Sequence, residues 1–157
     1  MRSCPAGTTA PPSVERVNGE AVRRWIFERH CHPISAWSRW ATTPLLLVPV
    51  WTRRWRWAVP IAAWLAINPV VTPPPRDNNS FATRAIRGEE IWMTRPTSDT
   101  ALTVLGIVGG TALISALIAA WRRSGTGATA GTALSMTITL LAWRRYAHIW
   151  EANQSGR

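Results

Sequence analysis

Three groups of residues in this chain could do chemistry, and the first is the triplet His30-Cys31-His32. Neutral imidazole and thiolate are good ligands for zinc or copper. Three adjacent residues rarely converge on one ion, however, and no Cys-x-x-Cys or helical His-x-x-x-His motif supplies further ligands. His148 is the one remaining histidine of the sequence. We therefore predict no metal site, and we interpret the triplet as the end of a helix at a membrane surface.

The second group is the acidic pair Glu89-Glu90, which could act as an acid or base at a membrane surface. Arg84 and Arg87 precede the pair at helical spacing, which favours ion pairs of Arg87 with Glu90 and of Arg84 with Glu89 on a solvated face. The sequence contains no Gly-rich phosphate loop and no Ser-His-Asp arrangement. We therefore predict no catalytic residue, no cofactor and no enzymatic activity.

Arg39 and Asn68 form the third group, because each is a polar residue inside an apolar run. Polar groups at membrane depth are costly and usually face the interior of a helix bundle or a wet cavity. Pro69 follows Asn68 and is expected to break the helix there, and broken helices build the solute sites of transporters. Arg39 and Asn68 are therefore the predicted ligand-binding residues. The alternative is that both lie at the level of the lipid headgroups, where a polar group is tolerated.

The composition indicates a membrane protein. Hydrophobic residues make up 46% of the 157 residues, and they gather in blocks instead of following a regular period. A net charge of +10 would ordinarily suggest a nucleic-acid partner. The basic residues are all arginine, however, and most stand at the ends of apolar blocks, where arginine holds a segment at anionic headgroups. We therefore expect the lipid bilayer as partner and no nucleic acid.

The apolar blocks and the breaks between them divide the chain into six parts. In order, these are a disordered N-terminal tail (1–12), an amphipathic helix and motif (13–33), a Pro- and Trp-rich transmembrane hairpin (34–72), an interfacial loop and helix (73–99), a second transmembrane hairpin (100–146) and a C-terminal tail (147–157). Prolines punctuate the first hairpin, so we expect its helices to be short and kinked, tilted or partly re-entrant.

The second hairpin carries the strongest membrane signal. Ala101 to Trp121 holds 21 residues without a charge, about 31 Å of helix, which is enough to cross the hydrocarbon core. The first hairpin has weaker spans, Ile34 to Trp51 and Trp57 to Thr72. The predicted fold class is therefore all-α and integral to the membrane, with about four transmembrane helices in two hairpins and amphipathic helices at the interface.

Glycines predict how the last two helices pack. Gly106 and Gly110 on the third span, and Gly127 and Gly131 on the fourth, form small-xxx-small pairs that let helix backbones approach closely. These four glycines are the predicted helix-packing residues. The same faces could join two copies of the chain in a homo-oligomer.

The placement of arginines predicts the orientation. Four crossings put both termini on one side, and eleven arginines flank that side against five on the other. By the positive-inside rule, both termini are expected in the cytoplasm. Arg53, Arg54 and Arg56 crowd the first turn and would resist export, so a first hairpin that enters the membrane without crossing it stays an alternative.

Three stretches of the chain, IFERHCHPISAWSRW, WLAINPVVTPPP and SFATRAIRGEEIW, carry a resemblance to a known family. They are similar to stretches of a prokaryotic family of small multi-pass membrane proteins of unknown function, with the motifs H-x-N-P-W-S-x-W-x-R and N-P-x-x-x-P-P-P. The positions that match the first motif are His30, Pro33, Ser35, Trp37 and Arg39. His32 stands where the family has Asn, and Ile34 where it has Trp. The resemblance implies a membrane protein and supplies no activity.

Three functions fit these patterns. The leading hypothesis is a non-enzymatic structural or accessory component of the cell membrane, because the chain places inside the bilayer none of the titratable groups that pumps and redox enzymes normally need. The second is a small oligomeric transporter or channel that uses Arg39 and Asn68 in the Pro-broken first hairpin. The third is a membrane-surface enzyme built on Glu89, Glu90 and the histidines.

Overall fold

The computed structural model of the chain describes residues 29–75, 77–94 and 99–156, and within these ranges it is helical without any β-strand. The predicted all-α class is confirmed. The predicted tail at 1–12 and most of the predicted amphipathic helix at 13–33 lie outside the described residues. The helices are α1 (Pro33–Ala41), α2 (Val48–Thr52), α3 (Ala58–Val71), α4 (Phe81–Thr94), α5 (Thr100–Trp121) and α6 (Gly125–Ser155). Short 3-10 helices at Thr43–Leu47 and Trp55–Trp57 precede α2 and α3.

The first predicted span, Ile34 to Trp51, is not one continuous helix. α1 ends at Ala41, and the chain passes through the 3-10 helix before α2 begins. Pro44 lies in the first turn of the 3-10 helix, and Pro49 lies in the first turn of α2. In a first turn the missing N–H group of proline would have no partner within the helix. The prolines therefore divide this span into short helical pieces.

α3 differs from its prediction at the far end. Asn68-Pro69 was expected to break the helix, but α3 continues through both residues to Val71. Proline removes a single backbone hydrogen bond, to the carbonyl four residues earlier. The Thr72 hydroxyl donates to the Asn68 carbonyl at 3.0 Å and so satisfies an acceptor of the last turn.

α5 is the one helix among the described residues that is long and apolar enough to cross a membrane. It begins after Asp99, whose carboxylate accepts the N–H groups of Ala101 and Leu102. In its most apolar stretch only 17% of the residues are buried, and Ile107 and Ile114 are 64% and 59% exposed. A core helix of a soluble protein would be mostly covered, so the apolar side chains of α5 face outward.

α6 is longer than predicted. Its fourth-span region continues through the arginine pair Arg144-Arg145, and the predicted C-terminal tail at 147–157 is helical as far as Ser155. The first part of α6 packs on α5, and its second part carries α4. α6 is therefore the element that joins the two halves of the molecule.

The two turns of the hairpins lie together at one end of the molecule. The Nη2 atom of Arg53 donates to the carbonyl of Trp121 at 3.1 Å, and the guanidinium lies 4.0 Å from the centroid of the Trp121 ring. Arg53 and Arg123 both adopt left-handed backbone conformations in these turns. At the opposite end, a core forms from Cys31, Ala36, Ala82, Ala85, Ile86 and Trp143.

The glycines of α6 are points of close approach to α5. A Cβ atom at Gly131 would lie 2.9 Å from the Ala116 Cβ atom and 3.0 Å from the Ala112 carbonyl oxygen. At Gly127 it would lie 3.0 Å from the Ala119 Cβ atom. The absence of side chains at these positions lets the two backbones approach each other.

The predicted glycines of α5 take no part in this contact. A Cβ atom at Gly106 or Gly110 would meet no heavy atom within 4 Å. The glycine of α5 that faces α6 is Gly109, where a Cβ atom would lie 3.0 Å from Ile138 Cγ2. The helix-packing face of α5 is therefore shifted from the one that the Gly106-xxx-Gly110 spacing suggested, because alanines complete the interface on that helix.

Candidate functional site

A polar cluster lies at the end of the molecule where α1, α3 and α4 meet. Its members come from the three stretches that carry the family resemblance. We define this polar cluster as His30, Cys31, Ser35, Ser38, Arg39, Asn68, Thr83 and Glu89. Asn68, Thr83, Cys31 and Ser35 are the largest fully buried side chains of the described residues. Buried polar groups at this density need partners.

Asn68 lies at the centre of the polar cluster and is 2% exposed. Its Oδ1 atom accepts a hydrogen bond from the Ser35 hydroxyl at 2.7 Å, and its Nδ2 atom donates to the Ser38 hydroxyl at 2.9 Å. The Ser38 hydroxyl in turn donates to the Ser35 carbonyl at 3.1 Å. Both ends of the amide have partners, so Asn68 connects α3 to α1.

Arg39 extends the network towards His30. Its Nε atom donates to the Ser35 carbonyl at 3.2 Å, and its Nη1 atom lies 2.9 and 2.7 Å from the two ring nitrogens of His30. A guanidinium can only donate, so it favours a neutral, accepting imidazole. Burial, and then the charge of Arg39, lower the pKa of His30 to about 4. His30 is therefore neutral at physiological pH.

Thr83 connects α4 to the polar cluster. Its hydroxyl donates to the carbonyl of Cys31 at 2.9 Å, and both residues are fully buried. Burial raises the pKa of the Cys31 thiol to about 11. Because the thiolate is the reactive form of cysteine, Cys31 behaves as a small core residue at neutral pH.

Glu89 lies where the polar cluster meets a groove between α5 and α6. Burial raises the pKa of Glu89, and the positive charge of Arg39 opposes the shift. This groove, the Glu89 groove, has a volume of about 320 Å³, and its walls include Gly106, Gly110 and Ser135. The carboxyl group therefore borders a space large enough for a small molecule.

Trp37 and Trp40 attach α1 to α6. The Trp40 indole nitrogen donates to the Met136 carbonyl at 3.1 Å. Trp37 packs edge-on against Trp40 and Trp143, with ring centroids 5.6 and 5.4 Å apart. These contacts hold the polar cluster against the helix that also carries α4.

The two predicted ligand-binding residues, Arg39 and Asn68, meet at the same serine. Ser35 donates to Asn68 through its hydroxyl and accepts from Arg39 through its carbonyl. The two residues thus belong to one cluster, although their polar groups are bonded within the chain.

The remaining candidates lie apart. Within the described ranges, no group of three His, Cys, Asp or Glu side chains is placed to hold a metal ion. His32 caps α1 by accepting the Ile34 N–H group at 3.2 Å. Glu90 pairs with Arg87 at 3.8 Å, as the helical spacing predicts. Arg84, in contrast, pairs with Glu151 of α6 at 3.3 Å instead of Glu89, because α4 lies against α6.

Sequence reasoning missed Ser38, Thr83 and Gly88. Ser35 and Ser38 are three residues apart, so they lie on the same face of the helix. Two serines on one face of an apolar run are a signal that could have suggested a partner for Asn68. Gly88 lies so close to α6 that a Cβ atom there would overlap the Tyr146 carbonyl. No local pattern distinguishes Gly88 from an ordinary helical glycine.

The fold and the cluster define a small α-helical protein, and in the part of the chain that the structure describes one helix has membrane-spanning length. The chain belongs to a family of unknown function (DUF6653), which it matches over residues 17–103. The matched range includes all members of the polar cluster and ends near the start of α5. No curated protein and no solved structure matches the chain.

Proposed function

We propose that this protein is a multi-pass integral protein of the cell membrane that acts as a non-enzymatic structural or accessory component. The observation that carries the proposal is the bonding of Asn68, whose amide oxygen and nitrogen are both taken up by serines of α1. Arg39 is likewise bonded to Ser35 and His30. The polar residues of the first hairpin thus serve to hold helices together.

Membrane insertion is supported by the apolar surface of the helices. α5 has membrane length and is mostly uncovered, and on α3 the apolar side chains Val59, Ile67 and Val71 are more than half exposed. The contact between Arg53 and Trp121 brings the two turns to one end, as two adjacent membrane hairpins require. We therefore propose four membrane segments, in which the short helical pieces of the first hairpin together cross the membrane with kinks between them.

A cysteine-labelling experiment tests this topology. Single cysteines at Thr52 and Ser124, in a Cys4→Ser background, should react with a membrane-impermeant maleimide from outside the cell, because both termini are proposed to be cytoplasmic. Cys31 is fully buried and serves as an internal negative control. Labelling of the two positions from opposite sides, or protection of Thr52 from both sides, would exclude four crossings.

A structural or accessory role requires a partner, and the proposal includes self-association. Gly106 and Gly110 are exposed, and a Cβ atom at either position would meet no heavy atom within 4 Å, so their face of α5 has room for a second copy. Crosslinking in lipid should show oligomers that Gly110→Leu weakens, whereas Gly110→Leu should leave the contact between α5 and α6 intact. A strict monomer with no copurifying partner would contradict the accessory role.

One observation favours a second candidate, a small oligomeric transporter or channel. Glu89 borders the Glu89 groove, and the polar residues Ser135 and Thr139 also line it. Purified protein in liposomes would then conduct a small solute, and Glu89→Gln would abolish the flux without unfolding the chain. Absence of flux for cations, anions and neutral solutes alike would exclude this function.

A further inference from the structure

A second groove, the hairpin groove, lies between the first hairpin and α6 and has a volume of about 550 Å³. Its walls are predominantly apolar and include Leu47, Val48 and Trp51 on the hairpin side and Ala128, Thr129 and Met136 on α6. It is lined by none of the residues of the polar cluster. In a membrane, an apolar slot of this kind is filled by a hydrocarbon chain or by another helix.

One end of the hairpin groove meets the two arginine-rich turns. Trp51 lines the groove, and the guanidinium of Arg123 lies 5.7 Å from the centroid of the Trp51 ring. Thr52 and Gly125 also line this end, next to the turns. The groove therefore opens beside a concentrated positive charge.

The charge at this end is not balanced within the described residues. All five arginines of the two turns are exposed, and the ion pairs of the described chain involve none of them. They are Arg53, Arg54, Arg56, Arg122 and Arg123. The sequence contains no Asp or Glu between residues 40 and 75 or between 100 and 150. The groove thus combines apolar walls with an uncompensated cationic rim.

We propose that the hairpin groove binds one anionic phospholipid, with an acyl chain between the first hairpin and α6 and the phosphate at the arginine turns. Arginine binds phosphate oxygens in a bidentate manner, and tryptophan is favoured at the level where headgroup meets hydrocarbon. A second copy of the chain fits less well, because the same turns would bring more arginines and no carboxylate. This site depends on the proposed membrane location.

Lipid retention tests whether the site selects an anionic headgroup. The full chain in detergent is mixed with phosphatidylglycerol or phosphatidylcholine of identical acyl chains, and bound lipid is counted by native mass spectrometry. Phosphatidylglycerol should be retained preferentially, one per chain. Arg123→Gln should weaken its binding about fivefold, the effect expected for one arginine near an anionic headgroup. Arg144→Gln, at the other end of the apolar part of α6, is the matched control and should retain the wild-type preference.

A large side chain placed in the hairpin groove tests whether the acyl chain binds there. Thr129 is exposed and lines the groove, so Thr129→Trp should occupy the acyl-chain position without disturbing the packed face of α6. Retention of phosphatidylglycerol should fall more than about tenfold, since displacing only two methylenes from an apolar contact has an effect of that size. Thr137→Trp introduces the same side chain on an exposed part of α6 outside the groove lining and should retain the lipid.

Equal retention of both lipids by the wild type, or unchanged binding by Thr129→Trp, would overturn the lipid site. A dimer that forms equally well without lipid and is blocked by Thr129→Trp would identify a second copy as the occupant and would also overturn it. Alkaline extraction of membranes separates this failure from that of the proposed function. A chain that stays in the membrane pellet without a lipid preference loses only this inference, whereas a chain released into the supernatant contradicts the membrane location as well.

Discussion

Asn68 shows how a polar residue within an apolar run stabilises a helix contact. Replacing it with leucine leaves the hydroxyls of Ser35 and Ser38 without their partner in a buried site. We expect Asn68→Leu to destabilise the protein by about 1–2 kcal/mol, near the upper range of interhelical hydrogen bonds in membranes. Thermal unfolding in detergent measures the change.

Two further variants make the Asn68 prediction specific. Ile67→Leu changes an exposed neighbour on the same helix and should leave the unfolding temperature unchanged. Adding Ser35→Ala to Asn68→Leu should cost less than the sum of the single changes, because both remove the same hydrogen bond. Additive losses would mean that the serine and the amide are not coupled.

His30 makes the stability depend on pH. Its pKa is lowered from 6.5 to about 4 in the folded chain, by burial and by Arg39. Between these values the unfolded chain binds a proton that the folded chain does not, so stability falls as the pH falls from about 6.5 to about 4. After allowance for partial solvent screening, we expect a loss of roughly 1–2 kcal/mol across this window.

Thermal unfolding at intermediate pH values measures this dependence. His30→Gln should flatten the profile between about pH 6.5 and pH 4, since glutamine does not titrate. His148→Gln, which removes an exposed histidine outside the polar cluster, is the matched comparison. An unchanged slope in His30→Gln would assign the dependence to another group.

At the residue scale, the sequence singles out Arg39 and Asn68 but does not reveal their hydrogen-bond partners. Each stands out because it is polar in an apolar run, and that signal is local. The partners of Asn68 are 30 and 33 residues away in the chain, so they are known only once α1 and α3 are placed together. The same separation explains why Thr83, which bonds to Cys31 across 52 residues, was not found.

At the scale of the elements, the contact between α4 and α6 depends on one glycine. A methyl group at Gly88 would overlap the Tyr146 backbone, so Gly88→Ala must push the two helices apart. We expect a destabilisation of about 1–3 kcal/mol, the range found for overpacked sites. Unfolding measurements should show this loss.

Gly110→Ala is the matched control for Gly88→Ala, because a Cβ atom at Gly110 meets open space. Alanine in an open helical position is about 0.5–1 kcal/mol more favourable than glycine, so this variant should be neutral or slightly stabilised. Destabilisation of both variants to the same degree would contradict the assignment of the effect to the close approach between Gly88 and Tyr146.

The helices themselves were predicted unevenly, for physical reasons. α4 and α5 can be predicted from local sequence patterns. A helix cap followed by an apolar or amphipathic stretch is recognisable without knowledge of what the helix packs against. α6 extends beyond residue 146, the predicted end of the second hairpin, because the arginine pair Arg144-Arg145 is typical of a membrane boundary but does not end the helix. The helix continues because its second part is covered by α4, with Trp143 and Ala147 buried. The first span was predicted as one helix. Whether a helix ends and a new one begins at a proline depends on the path of the chain between the two segments, and the local sequence does not give that path.

At the scale of the whole molecule, the two halves are held together by contacts that do not need a covalent link. α4 lies on α6, Trp40 bonds to Met136, and Arg53 bonds to Trp121. We expect fragments 1–96 and 97–157, expressed together, to copurify through a tag on one of them. Gly88→Ala in the first fragment should reduce the yield of the complex, and Gly110→Ala in the second should not. Fragments that separate in mild detergent would contradict this arrangement.

In the membrane arrangement proposed above, the continuity of α6 has a mechanical consequence. The helix has 31 residues and is about 46 Å long, longer than the hydrocarbon core of about 30 Å. The part beyond Trp143 extends for about 18 Å, so a tilt of about 10° in the bilayer would move its tip by about 3 Å. α4 packs on this part of α6, so a change in bilayer thickness that tilts α6 would also displace α4. Spin-label distances from α4 to the hairpin turns in thin and thick bilayers would measure this displacement.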